Sequence, residues 1–204
     1  MMNKIRIIAI LSLAIFFSGA NMYSGYKVGD TITDFKLKNT DGKMVSLKDY
    51  KSAKGFILIF DCNTCPFSKG YRDRIKALHA QYEDKGYPVV AINSNNAQRS
   101  PGDSFDKMVA YADEHNYRHA YLYDEDQTIA TAFGATNTPQ VFLINKEEGE
   151  LKLVYTGAID NNTKDANAAD KKYVENAVNS LLEGKTPNVE QTKAIGCTIK
   201  WAES

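Results

Sequence analysis

The chain has 204 residues, with 43% hydrophobic residues, 25 basic and 25 acidic side chains and three cysteines. A formal net charge of zero gives no drive toward nucleic acid or an anionic membrane, and the ordinary composition excludes a disordered chain, a collagen-like repeat and a polytopic membrane protein. Three cysteines are too few for a disulfide scaffold, and an odd number leaves at least one thiol outside any intramolecular pairing.

Residues 1–20 read as a signal peptide. Lys4 and Arg6 precede an apolar run from Ile7 to Phe17 broken only by Ser12, and Ser18-Gly19-Ala20 supplies small residues where a signal peptidase cuts. The run falls short of the about 20 apolar residues that cross a bilayer. Export to the periplasm or the medium is expected, with cleavage after Ala20 and no stable membrane insertion afterwards. Loss of Lys4 and Arg6 leaves 23 basic against 25 acidic groups, a net charge of −2.

Residues 21–204 read as a single domain. Asp34 to Leu47 alternates around the turn Asp41-Gly42, which predicts an N-terminal β-hairpin. Gly55 to Phe60 is continuously apolar, as a strand buried on both faces requires. Phe67, Tyr71, Ile75, Leu78 and Tyr82 recur at helical spacing and Gly86 closes the segment. His79, within that helix, reads as a surface residue. Pro88 to Asn93 is a second buried strand, and Phe105 to Ala112 is a helix behind Asp103. Ala120 to Tyr123 reads as a short strand and Ile129 to Phe133 as a short helix closed by Gly134. Gln140 to Ile144 and Leu151 to Tyr155 are strands joined around Glu148-Gly149, and Tyr173 to Leu181 is a last helix. This alternation predicts an α/β fold, parallel strands with helices on both faces and an antiparallel pair at one edge.

The chemistry lies at Cys62-Asn63-Thr64-Cys65-Pro66, where the first buried strand meets the first long helix. A Cys-x-x-Cys there brings two sulfurs within bonding reach, whether the pair sits in a helical turn or in a tight turn ahead of it. Pro66 disfavours helical angles at Cys65, so the helix proper can begin at Pro66. Unpaired N–H groups at a helix start favour a thiolate, which predicts Cys62 as the attacking thiolate and Cys65 as the resolving thiol. Asp61 beside Cys62 acts in the opposite sense. A zinc site lacks ligands: only Cys197, His79, His115 and His119 remain beside the pair. No metal and no cofactor are expected. Thr138-Pro139 opens the strand after the third helix, and with the cysteine motif it predicts a cis proline packed against the sulfurs.

Taken together, Cys62-Asn63-Thr64-Cys65-Pro66-Phe67, Ala91-Ile92-Asn93-Ser94-Asn95, Tyr121-Leu122-Tyr123-Asp124-Glu125, Thr138-Pro139 and Gly196-Cys197-Thr198-Ile199-Lys200-Trp201 resemble the landmarks of the thioredoxin-like superfamily. The resemblance is to its redoxin branch, of the alkyl hydroperoxide reductase/thiol-specific antioxidant type, and runs from about Val28 to Trp201. It implies a thioredoxin-like fold with a central mixed sheet flanked by helices. It also implies Cys62 as exposed nucleophile, Cys65 as its partner, and Thr138 and Pro139 facing them as the substrate-binding edge. Four features depart from the wider pattern: relatives often carry His where Thr64 stands, some carry Cys where Asn137 stands, the thioredoxin Trp-Cys-Gly-Pro-Cys is absent, and so is the peroxiredoxin Pro-x-x-x-Thr-x-x-Cys.

The function this predicts is an exported thiol–disulfide oxidoreductase acting on protein thiols and disulfides with an unidentified redox partner. A thiol peroxidase using the same cysteines is the alternative, and a copper(I)-binding protein without turnover is a third. The third lacks a late histidine, since none follows His119. Cys197 is expected as a buried structural thiol or as a third redox thiol. The tail is expected to pack back onto the domain with Trp201, the chain's single tryptophan, buried.

Overall fold

The two strands at the centre of the sheet are the two continuous apolar runs. The computed structural model describes residues 25–203, so the predicted signal peptide at 1–20 lies outside the described residues. Gly55–Phe60 forms β3 and Val89–Asn93 forms β4, paired in parallel, with every residue of both buried. The N-terminal hairpin is β1 (Lys36–Asn39) and β2 (Met44–Ser46), and β5 (Ala120–Tyr123) joins β4 in parallel to β1 antiparallel. On the other side β7 (Gln140–Glu147) and β8 (Glu150–Gly157) extend the sheet as an antiparallel hairpin, giving the order β2-β1-β5-β4-β3-β7-β8. The β7–β8 turn is two residues, Glu148 and Gly149, both at positive φ, the conformation a tight hairpin needs. The mixed sheet expected from the sequence is therefore present.

Side-chain alternation splits the interior into two faces. Ile57 and Ile59 pack with Tyr71, Ile75, Leu78 and Tyr82 of α1 (Pro66–Tyr82) and with Val174 and Val178 of α4 (Tyr173–Leu182). Phe56, Leu58 and Phe60 point the other way, onto Phe133 of α3 (Thr128–Phe133) and onto Ile199 of the tail. The helix α2 (Phe105–Glu114) covers Ala91 and Tyr121 through Met108 and Ala112. An ion pair between Arg74 of α1 and Asp160, 2.7 Å apart and largely shielded from water, ties the segment after β8 to this helix.

Two expectations about this layer need correction. His79 is buried rather than exposed, because it lies on the face of α1 turned to β4, where Nδ1 accepts from the Val89 N–H at 3.3 Å. Trp201 is 37% exposed, whereas Ile199 is 3% exposed. The tail does fold back, but the smaller side chain is its anchor. The docking creates a second, two-stranded sheet that no periodicity announced: β6 (Asn137–Thr138) pairs antiparallel with β9 (Cys197–Thr198).

Candidate active site

The start of α1 decides the chemistry. Cys65 has φ −68° and ψ 126°, extended as a residue before proline must be, and it is the N-cap of a helix whose first residue is Pro66. Cys62 therefore lies on the approach to the helix, beyond the end of β3. The Cys65 side chain makes no capping hydrogen bond to the first turn. Cys62 lies 3.2 Å from Thr138 Oγ1 and 3.9 Å from Ser68 Oγ.

Cys62 and Cys65 pull each other in opposite directions. The Cys65 thiol is brought down to about 4, first by the neighbouring Cys62 thiol, against the cost of burial, and then by Cys197. Cys62 is correspondingly pushed up, by the neighbouring Cys65, by its burial and by the nearby carboxylates of Asp103 and Asp61. The Cys65 sulfur also lies 3.2 Å from the Thr138 carbonyl oxygen, an acceptor that suits a protonated thiol. The expected exposure of Cys62 is corrected, since Cys62 and Cys65 are 2% and 3% exposed.

Asp61 is buried, its Oδ1 has no hydrogen-bond partner among the described residues, and desolvation pushes it up to about 6 against the opposing effects of the Ser68 side chain and the Cys62 backbone. It is a carboxyl group that changes charge close to neutral pH, next to Cys62. A second carboxylate, Asp103, holds the turn between the cysteines. Its Oδ1 accepts from the Asn63 N–H at 2.7 Å and Asn93 Nδ2 at 3.2 Å. Its Oδ2 accepts from Thr64 Oγ1 at 2.7 Å, Asn95 Nδ2 at 2.9 Å and Ser100 Oγ at 2.6 Å. Asp103 had been read only as the residue ahead of a helix. Ser104 is that helix's N-cap, and nothing in the local sequence pattern marks the carboxylate's reach back to residues 63 and 64. Ser68 left a fainter trace: it is a buried polar residue one turn after Cys65 on the inward face of α1.

The structure brings four predicted residues together. The Thr138–Pro139 peptide bond is cis, and Thr138 contacts both sulfurs, Cys62 through its hydroxyl and Cys65 through its carbonyl. Cys197 joins them, since it is the register partner of Thr138 across β6–β9 and its thiol neighbours that of Cys65 closely enough to shift it. It is half-buried, not sealed in a core, and burial followed by the neighbouring Cys65 pushes it up to about 11.

A central mixed sheet flanked by helices, a thiol pair at the start of the first long helix and a cis proline facing it define a thioredoxin-like protein. More narrowly, the chain belongs to the AhpC/TSA family, whose sequence pattern matches residues 28–154. A solved structure of an uncharacterized conserved protein from Geobacillus kaustophilus is 37% identical, with a TM-score of 0.79 over 90% of this chain and 95% of that one. The thiol-disulfide oxidoreductase ResA of Halalkalibacterium halodurans is 23% identical over 163 residues, covering 76% of this chain and 86% of the relative. The putative peroxiredoxin bcp of Helicobacter pylori is 30% identical over 109 residues, 53% of this chain and 66% of the relative.

Proposed function

We infer that the protein is an exported thiol–disulfide oxidoreductase in which Cys65 attacks the disulfide of a protein substrate and Cys62 resolves the mixed disulfide. The observation that carries this reading is the position of Cys65 as the N-cap of α1, beside the Cys62 thiol that draws it below the ordinary thiol range. Thiolate is the attacking species in exchange, and the neighbouring Cys62 thiol is already within hydrogen-bonding reach of the sulfur it would attack. Attack by Cys62 requires loss of its proton. Asp61, pushed up to about 6 and adjacent to Cys62 in the chain, is the group to take it.

Thr138 and Pro139 form the edge for an extended substrate segment, because the Thr138 hydroxyl and carbonyl lie 3.2 Å from the Cys62 and Cys65 sulfurs. The likeness to ResA supports exchange with protein thiols or disulfides. Export rests on residues 1–20, and amino-terminal sequencing of the cell-envelope protein tests it: a start at residue 21 is expected, and a start at Met1 refutes it. The missing peroxiredoxin pattern argues against efficient peroxide reduction.

Insulin reduction with dithiothreitol as the electron source tests the activity. Wild-type turnover is expected, with Cys65→Ser at the uncatalysed rate and Cys62→Ser arrested as mixed disulfides on Cys65. Full activity in Cys65→Ser refutes the assignment. Peroxide consumption faster than insulin reduction transfers the site to the peroxidase class.

A further inference from the structure

The last strand of the chain lies on the edge assigned above to substrate. Cys197 is opposite Thr138, the residue before the cis proline, in antiparallel register. The approach is close enough to demand glycine next door: a Cβ on Gly196 would fall 2.1 Å from the Thr138 carbonyl oxygen. Only hydrogen fits there, so the spacing of tail to edge is fixed by residue type.

The rest of the tail is held by side chains that reach for its backbone. Asn137 Nδ2 donates to the Gly196 carbonyl at 3.1 Å, and the Ile199 N–H donates to the Thr136 carbonyl at 3.0 Å. Asn95 Oδ1 accepts from the Lys200 N–H at 2.8 Å. Gln127 clamps from both ends of its amide, Nε2 donating to the Lys200 carbonyl at 2.9 Å and Oε1 accepting from the Ala202 N–H at 2.7 Å. Gln127 does this from φ 57°, in the left-handed region that a residue with a Cβ occupies only under constraint. Asn95 also donates to Asp103, the carboxylate that holds the turn between Cys62 and Cys65. Tail and thiol pair thus share one polar network.

We propose that β9 is a built-in occupant of the substrate edge and that Cys197 is a working third thiol, which forms a disulfide with Cys65 in competition with Cys62. The step begins at the mixed disulfide between Cys65 and a substrate sulfur. The Cys197 sulfur attacks the Cys65 sulfur, the bond to the substrate breaks, and the Cys65–Cys197 bond forms. The departing substrate thiolate takes up the proton that Cys197 gives up. Two protein thiols are oxidised to one disulfide, and the substrate disulfide is reduced to two thiols. A Cys65–Cys197 disulfide fastens the tail over the edge; reduction releases it for an incoming segment.

The proposal rests on Cys65 being the attacking thiol, and the test separates the two. Reduced Cys62→Ser and the double variant Cys62→Ser/Cys197→Ser are each exposed to glutathione disulfide, quenched in acid and mapped by mass spectrometry. An intramolecular thiol acts at an effective concentration of about millimolar or above, so with free glutathione held near 0.1 mM the single variant should retain at least about tenfold less glutathione on Cys65 than the double variant. In its place a peptide linking Cys65 to Cys197 is expected. Wild-type protein mapped in parallel guards against a folding artefact. The Cys65–Cys197 peptide in either chain supports the proposal, and its absence from both overturns it. A double variant that takes up no glutathione at Cys65 overturns the parent assignment, and this proposal with it.

Discussion

Replacing Ile199 with alanine separates docking of the tail from the chemistry beneath it. Ile199 is 3% exposed and packs in the cluster that contains Phe133 and Phe142, while its neighbours in the tail are held mainly through backbone hydrogen bonds. Truncating a buried isoleucine to alanine costs about 2–5 kcal/mol when the surroundings cannot move away. A terminal segment relaxes more easily than a core, so the lower figure applies, and about 2 kcal/mol multiplies the population of the undocked tail by about 30. Thiols covered by the tail react through that undocked state. Labelling of Cys65 in the reduced native protein, followed by mass spectrometry, should therefore accelerate about 30-fold. Trp201→Ala is the control: its side chain is 37% exposed and should change the rates far less. Unchanged labelling in Ile199→Ala, or an equal effect from Trp201→Ala, refutes the reasoning.

Gly196→Ala should undock the tail through sterics alone, because the new methyl would sit 2.1 Å from the Thr138 carbonyl oxygen; faster Cys65 labelling is expected, and wild-type labelling refutes the close approach. Asp61→Asn should alter how stability depends on pH. Asp61 is pushed up to about 6, so its protonated form favours the fold: its contribution is complete below the unfolded value near 3.8 and is lost as pH rises through 6. Relative to wild type the variant should gain stability between pH 4 and 7, by at most about 3 kcal/mol, and urea unfolding across that range checks it; parallel profiles contradict the burial argument. Arg74→Ala leaves Asp160 without its cation, in a pair 2.7 Å apart whose carboxylate side chain is 5% exposed, and a loss of about 3–5 kcal/mol in urea unfolding is expected.

The sheet was legible because its signals are local and apolar. Gly55–Phe60 and Val89–Asn93 announced buried strands, and Glu148-Gly149 announced the hairpin turn. The cis bond at Pro139 was legible only through its pairing with the cysteine motif. The pairing of β6 with β9 was not. Two-residue strands have no period, and Thr138 and Cys197 meet only because Ile199, Asn95 and Gln127 draw a distant segment back. The roles proposed for Cys62 and Cys65 turn on where the helix starts. Pro66 signalled that boundary, but which cysteine stands as the N-cap depends on backbone angles that residue types alone leave open. Burial of both sulfurs escaped for the same reason as β9, since the cover comes from the far end of the chain.

The central claim is that Cys65 carries the thiolate, and the pH dependence of its alkylation tests this most directly. In fully reduced protein treated with iodoacetamide between pH 5 and 8, with each cysteine quantified by mass spectrometry, Cys65 should be modified ahead of Cys62. Its rate should be nearly flat with pH, since a thiol held at about 4 is already ionised throughout. Preferential modification of Cys62, or a Cys65 rate that climbs about tenfold per pH unit as a free thiol of pKa about 8.5 does, would contradict the account.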